Sequence, residues 1–258
     1  NGGLRIGSVG LNKTISSLTL PGLGNFDTKV DFGFGSFQRI TLNQILQQDG
    51  SANALNPGAC SVTVARVGGS GGGGGSAQIT GLDAGPAIAL TGPNGPKNLA
   101  KAPNSTGTYS EVLSQTIPFG SAQPDYIVPG SYGFSSSGGA DVGAFSTSLN
   151  VPANLVWSNE AQITTVNRAN GQLITWNAGG ADGFVIIAGS SVNTANTANV
   201  SFTCYERASA GQFTIPSSIL LALPPSGNQA GVPTGFLFVG GFTNPGTFTA
   251  SGLDIEIG

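Results

Sequence analysis

The stretch Gly138–Leu223 opens GGADVGAFSTSLNVPANLVW and closes FTCYERASAGQFTIPSSILLAL, and its reading decides the fold. From Phe145 to Val151, Phe145, Thr147, Leu149 and Val151 alternate with Ser146, Ser148 and Asn150. This is the period of two expected of a half-buried strand. Val200, Phe202 and Cys204 repeat it against Ser201, Thr203 and Tyr205. Gln172–Trp176, Gly183–Ala188 and Gly211–Ile215 are further β-branched or aromatic runs, bounded by Asn-Gly, Gly-Gly-Ala-Asp-Gly and Ala-Gly turn signals. Short strands at this spacing, with no helical period between them, predict an all-β chain of antiparallel β-sandwich type, immunoglobulin-like in its C-terminal half. Ile174 and Trp176 share a face, which directs Trp176 between sheets.

Outward from that stretch, the Val151-Pro152-Ala153 step reads as the domain junction. Residues 153–258 are then an immunoglobulin-like sandwich, 25–152 a β-rich domain with a glycine-rich loop at 68–76 (GGSGGGGGS from Gly68), and 1–24 an N-terminal arm. In the middle domain Phe32 and Phe34 share a strand face and are expected in the core, with Gly33 and Gly35 marking a bulge or a close backbone approach. Thr41–Gln48 (TLNQILQQ) is the best helix candidate. Cys60, Val62 and Val64 read as the inward face of a strand. At the C-terminus Leu253, Ile255 and Ile257 alternate with Asp254 and Glu256 as a last strand.

Composition narrows the function. Only 8% of residues are charged, and nine Lys plus Arg against twelve Asp plus Glu leave no basic block to neutralise phosphates, so nucleic acid is not an expected partner. No apolar run reaches bilayer-spanning length. The chain has no Met, so Asn1 reads as the product of a cleavage or truncation. A removed export signal is the expected account, placing the protein outside the cell or at its surface. There is no His, which removes Ser-His-Asp and Cys-His nucleophile systems and the usual zinc sites. The remaining carboxylates, among them Asp27, Asp31, Asp141 and Asp182, stand singly in Gly/Ser/Asn surroundings, without a pair arranged for acid/base work. No catalytic residue, cofactor or metal site is expected.

Motifs scattered over residues 82–258 carry a resemblance: LDAG from Leu82, GPNG from Gly92, GGADVGAF from Gly138, VPANLVW from Val151, FTC from Phe202, FTIP from Phe213 and SGLD from Ser251. Together they resemble uncharacterised exported all-β proteins of soil acidobacteria. The resemblance implies export and an all-β fold, and it brings no assigned catalytic residues.

Cys60 and Cys204 are the only cysteines, both on predicted inward faces, and in an exported protein they are expected to form a disulfide. Leu4, Ile6, Ile15, Leu18 and Leu20 supply the arm with apolar contacts for adding a strand to a neighbouring copy. The expected function is a non-enzymatic extracellular structural protein, a subunit of a filament or surface assembly whose partners are copies of itself. The alternative is a secreted carbohydrate-binding or adhesive module, in which Trp157, Trp176, Tyr109, Tyr126, Tyr132 or Tyr205 would stack on a polysaccharide.

Overall fold

The computed structural model describes residues 3–20, 24–41, 56–66, 79–117, 121–178, 182–192, 198–229 and 232–258. Among them the chain is all-β, with 3-10 turns and one short α-helix, α1 (Ser217–Leu221). The helix candidate at Thr41–Gln48, Thr41 aside, and the glycine tract Gly68–Ser76 lie outside the described residues. No described helix is long and apolar enough to cross a membrane.

The strands are β1 (Leu4–Leu20), β2 (Gly24–Ile40), β3 (Cys60–Arg66), β4 (Thr80–Gly81), β5 (Ala87–Gly92), β6 (Gly95–Lys101), β7 (Thr108–Thr116), β8 (Gly130–Ser136) and β9 (Phe145–Val151). They continue as β10 (Val156–Trp157), β11 (Gln172–Asn177), β12 (Phe184–Val192), β13 (Ala198–Arg207), β14 (Gln212–Ile215), β15 (Asn228–Gln229), β16 (Val232–Pro233), β17 (Gly235–Phe242) and β18 (Ile255–Ile257). They form two units, one from Asn1–Asp49, Gly74–Pro152 and Pro245–Gly258, the other from Gly50–Gly73 and Ala153–Asn244. This corrects the expected division in three places. Residues 1–24 are no separate arm, 50–73 belong to the second unit, and 245–258 return to the first. Strand pairing is the reason: β1 pairs with β2 from Leu4↔Ile40 to Leu20↔Gly24, β18 lies parallel to β1, and β3 pairs with β13.

In the first unit one sheet runs in the order β18-β1-β2-β7-β6-β5-β8-β9, with β4 on the end of β2, and curls into a half-barrel. Its concave face holds the core, including Phe37, Leu82, Ile88, Leu99, Tyr109, Tyr132 and Phe134, each at most 1% exposed. Burial of a large apolar side chain of this kind contributes about 1.5–3 kcal/mol. From Gly7 to Val9 on β1 and from Asp31 to Phe37 on β2 the odd-numbered residues face inward, so Val9, Asp31, Gly33, Gly35 and Phe37 are buried. The expectation for Phe32 and Phe34 is thereby corrected: they lie half-buried on the opposite face, the Phe34 ring covering Gly10. The glycines between them admit core side chains, since a Cβ on Gly33 would stand 2.7 Å from Leu99 Cδ2 and one on Gly35 2.5 Å from Ile88 Cδ1. A bulge follows where Asp31 pairs with Ser114 and Phe32 with Val112. The extra residue, Leu113, is buried.

In the second unit a four-stranded sheet, β17-β12-β13-β3, and a three-stranded sheet, β10-β11-β14, share one core, giving a sandwich-like arrangement. Central β12 alternates without a break, burying Val185, Ile187, Gly189 and Ser191. Trp176 is buried, and its indole N–H donates to the Ala208 carbonyl at 2.9 Å. The reading of Cys60, Val62 and Val64 as an inward face is corrected at two positions, because Val62 is 36% and Val64 58% exposed. β3 is the outermost strand of the wider sheet and has few atoms to pack against.

Candidate functional site

Three turns distant in sequence meet at one place in the first unit. The Asp83 carbonyl accepts the amides of Asp141 (3.1 Å) and Val142 (3.0 Å), and the Asp141 carboxylate accepts the amide of Asp83 (2.9 Å). Gly143 N–H donates to the Ser251 carbonyl at 2.8 Å. Arg5 N–H donates to the Asp254 carboxylate, Asp254 N–H returns to the Arg5 carbonyl, each at 2.8 Å, and the Arg5 guanidinium donates to the Asp141 carbonyl at 2.7 Å. The LDAG, GGADVGAF and SGLD motifs are therefore parts of one latch. Its glycines are demanded by backbone geometry: Gly85 and Gly252 have φ of 115° and 90°, where a side chain is strained, and a Cβ on Gly85 would meet the Gly138 carbonyl at 2.8 Å.

The carboxylates of this latch cap backbone amides and pair with cations. Lys101 Nζ donates to Asp83 Oδ1 at 2.7 Å, and this bond, with the Gly85 amide, holds the Asp83 carboxyl below its ordinary pKa. The same bond raises Lys101. Burial raises Tyr109, whose hydroxyl donates to the Gly85 carbonyl at 2.8 Å. Among the described residues no three His, Cys, Asp or Glu side chains are grouped to hold a metal ion.

A second polar cluster sits midway along the hairpin. Asp31, 2% exposed, stands directly across from Lys13 in the β1–β2 register. Its Oδ2 accepts the amides of Tyr126 (2.7 Å) and Ile127 (2.8 Å), while its Oδ1 is buried without a partner among the described residues. Lys13 Nζ donates to Asp125 Oδ2 at 2.6 Å and to the Ile127 carbonyl at 3.0 Å. Lys13, and more weakly Lys29, hold the Asp125 carboxyl below its ordinary pKa. Sequence reading passed over this cluster because its members are up to 112 residues apart. No local pattern marks it, because Lys13 comes to stand against Asp31 only once β1 and β2 have paired.

The residues assigned to an arm lie in that same hairpin. Leu4 and Ile6 are half-buried, Ile15 is 51% exposed, and the side chains of Leu18 and Leu20 are outside the described set. The buried contacts of β1 come instead from Val9, with Leu11 partly buried beside it. β18 covers the outer edge of β1 only at Ile6–Ser8, and β7 covers β2 only at Lys29–Ser36. From Val9 to Leu20 and from Gly24 to Thr28 the hairpin is thus a two-stranded ribbon whose outer edges pair with no other strand among the described residues.

Cys60 and Cys204 are opposed in the β3–β13 register and form a disulfide, the pair expected. Of the aromatics considered for sugar stacking, Trp176, Tyr109, Tyr126 and Tyr132 are buried, and half-buried Trp157 donates its indole N–H to Asn159. Tyr205 is half-buried; among the described residues the exposed aromatics are Phe236 (64%) and Phe238 (41%) on β17. Comparison with known proteins found no matching family model, no matching curated protein and no matching solved structure.

Proposed function

We propose that the protein is a non-enzymatic extracellular structural subunit that joins copies of itself into a filament or surface assembly by strand addition. The observation that carries this reading is the β1–β2 ribbon, whose two outer edges pair with no other strand among the described residues. An open edge presents unpaired N–H and C=O groups to an incoming strand. Edges are commonly guarded by charge, but Lys13, the one charged residue from Val9 to Leu20, is turned inward to Asp125. The joint is the edge of a hairpin already formed in its own sheet, in place of a detached arm. If the edge pairs with a different edge of the next copy, the contact is head to tail and propagates. The disulfide is compatible with an oxidising compartment, and the second unit is read in this proposal as an immunoglobulin-like sandwich. Export also agrees with the acidobacterial proteins that the motifs resemble.

The test is sedimentation and negative-stain electron microscopy of the full chain beside an Ile15→Lys variant. Ile15 is exposed, so a charge there leaves the folded monomer intact and guards the edge. Fibres or sheets from the wild type and monomers from the variant are expected. Monomers from both overturn the reading. Phe236 and Phe238 favour a second reading, an adhesive or polysaccharide-binding module; co-sedimentation with insoluble polysaccharide, abolished by Phe236→Ser with Phe238→Ser, supports it.

A further inference from the structure

The geometry points to Lys13 and Asp125 as the site of an intramolecular amide cross-link, formed by condensation of the Lys13 ε-amine with the Asp125 carboxyl and assisted by Asp31. Three observations converge on it. The reacting groups are in contact, with Nζ 2.6 Å from Oδ2. The amine is largely withdrawn from water and the carboxylate partly so: the Lys13 side chain is 12% and the Asp125 side chain 32% exposed, beside Tyr126, Ile127 and Tyr132, none more than 4% exposed. A second carboxylate, Asp31, lies across the strand pair from Lys13 with a buried oxygen that no described residue satisfies.

In bulk water the separated ions are favoured because both are well hydrated. At a part-buried contact some of that hydration is already lost. Orientation adds an effective concentration on the order of 10⁵–10⁸ M. The proton of the ion pair first moves from Nζ to Asp125, giving a neutral amine and a carboxylic acid. Nζ then attacks Asp125 Cγ, and the proton released from nitrogen passes through one water to Asp31 Oδ1. Asp31 returns it to the hydroxyl on Cγ, which leaves as water. One C–N bond forms, one C–O bond breaks, and no redox partner is needed. Asp31 is the general acid/base, its other oxygen fixed by the Tyr126 and Ile127 amides.

The Lys101–Asp83 pair is the internal control. Its contact is as short, 2.7 Å, and its carboxylate about as exposed (29%), but its lysine is 31% exposed against 12% for Lys13, and among the described residues no buried carboxylate with an unpartnered oxygen adjoins it. It stays an ion pair.

Intact-mass measurement of the full chain, denatured and read as single polypeptides, tests the cross-link independently of any assembly. The wild type is expected to be lighter than its sequence by one water beyond the hydrogens lost to the disulfide. Peptide mapping should find a branched peptide joining Lys13 to Asp125 that survives hydroxylamine, which opens a succinimide at Asp49-Gly50 or Asp182-Gly183. Proteolysis after Lys101 should proceed and after Lys13 should be blocked. Asp31→Asn, which keeps the side-chain shape, and Lys13→Arg, which keeps the charge, should each restore the full mass. A wild type of full mass after prolonged incubation at neutral pH, or water loss mapped elsewhere, overturns the inference whatever the variants do.

Discussion

Both units solve the same problem and solve it differently. Each brings a strand from a distant stretch of chain to its sheet: β18 to β1 in the first, with a tie spanning 249 residues between Arg5 and Asp254, and β3 to β13 in the second, spanning 144 residues between cysteines. The entropy of closing such loops grows only with the logarithm of length, so the two closures cost nearly the same. The first unit meets the cost with buried Phe248 and Ala250 and the Arg5–Asp254–Asp141 latch. The second uses a covalent bond. An edge strand such as β3, whose Val62 and Val64 remain exposed, has little apolar burial to hold it and depends on the sulfur bridge. Segments that pack well are held by packing, and segments that do not are stapled.

The largest effect expected from this comparison comes from removing a closing segment. Deleting 245–258 takes β18, Phe248 and Asp254 from the first unit, and its dispersed NMR signals should vanish while those of the second persist; a first unit left intact would remove the closing role of the segment. By the same logic Ala153–Gly258 expressed alone lacks β3 and Cys60, and it should fail to give a cooperative fold by circular dichroism. Next comes the bridge itself. Replacing Cys60 and Cys204 by Ser and Ala should cost the second unit about 5 kcal/mol on the loop-entropy account. Urea unfolding followed by Trp176 fluorescence reads it, and an unchanged midpoint shows that β3 holds without the bond.

Smaller effects sharpen the separation of the units. Gly33→Ala drives a methyl toward Leu99 in the first unit, and Gly189→Ala drives one toward Phe202, 2.7 Å away, in the second. Each should cost about 1–3 kcal/mol, and only in its own unit. A shift of both transitions by one variant shows a single cooperative block.

The smallest effect is electrostatic. Among the described residues all four ion pairs lie in the first unit. Asp83 and, as a free carboxylate, Asp125 have folded pKa values depressed below the ordinary 3.8. Their contribution is full above that value and is lost as pH falls through the lower folded value. Acid titration should therefore weaken the first unit before the second, modestly because the groups are partly exposed. Equal acid sensitivity of the two, or loss in the second first, contradicts it.

Local pattern alone determined that Phe145–Val151 and Val200–Cys204 are strands, since alternation of side chains across a pleat is a property of adjacent residues. It also determined the partner of Cys60, because Cys204 is the only other cysteine. It failed at β2, where apolar Phe32 and Phe34 alternate with glycines that leave room for Leu99 and Ile88. Which face was buried depended on side chains about sixty residues downstream, beyond the reach of any local pattern. The Lys13–Asp31–Asp125 cluster and the motif latch were hidden for a related cause: each is made by segments that only the closed sheet brings together. The exchange of 50–73 and 245–258 between units was decided at the last level, by which strand edges still offered unpaired N–H and C=O groups. Those free edges belong to an assembled sheet and exist in no stretch of sequence.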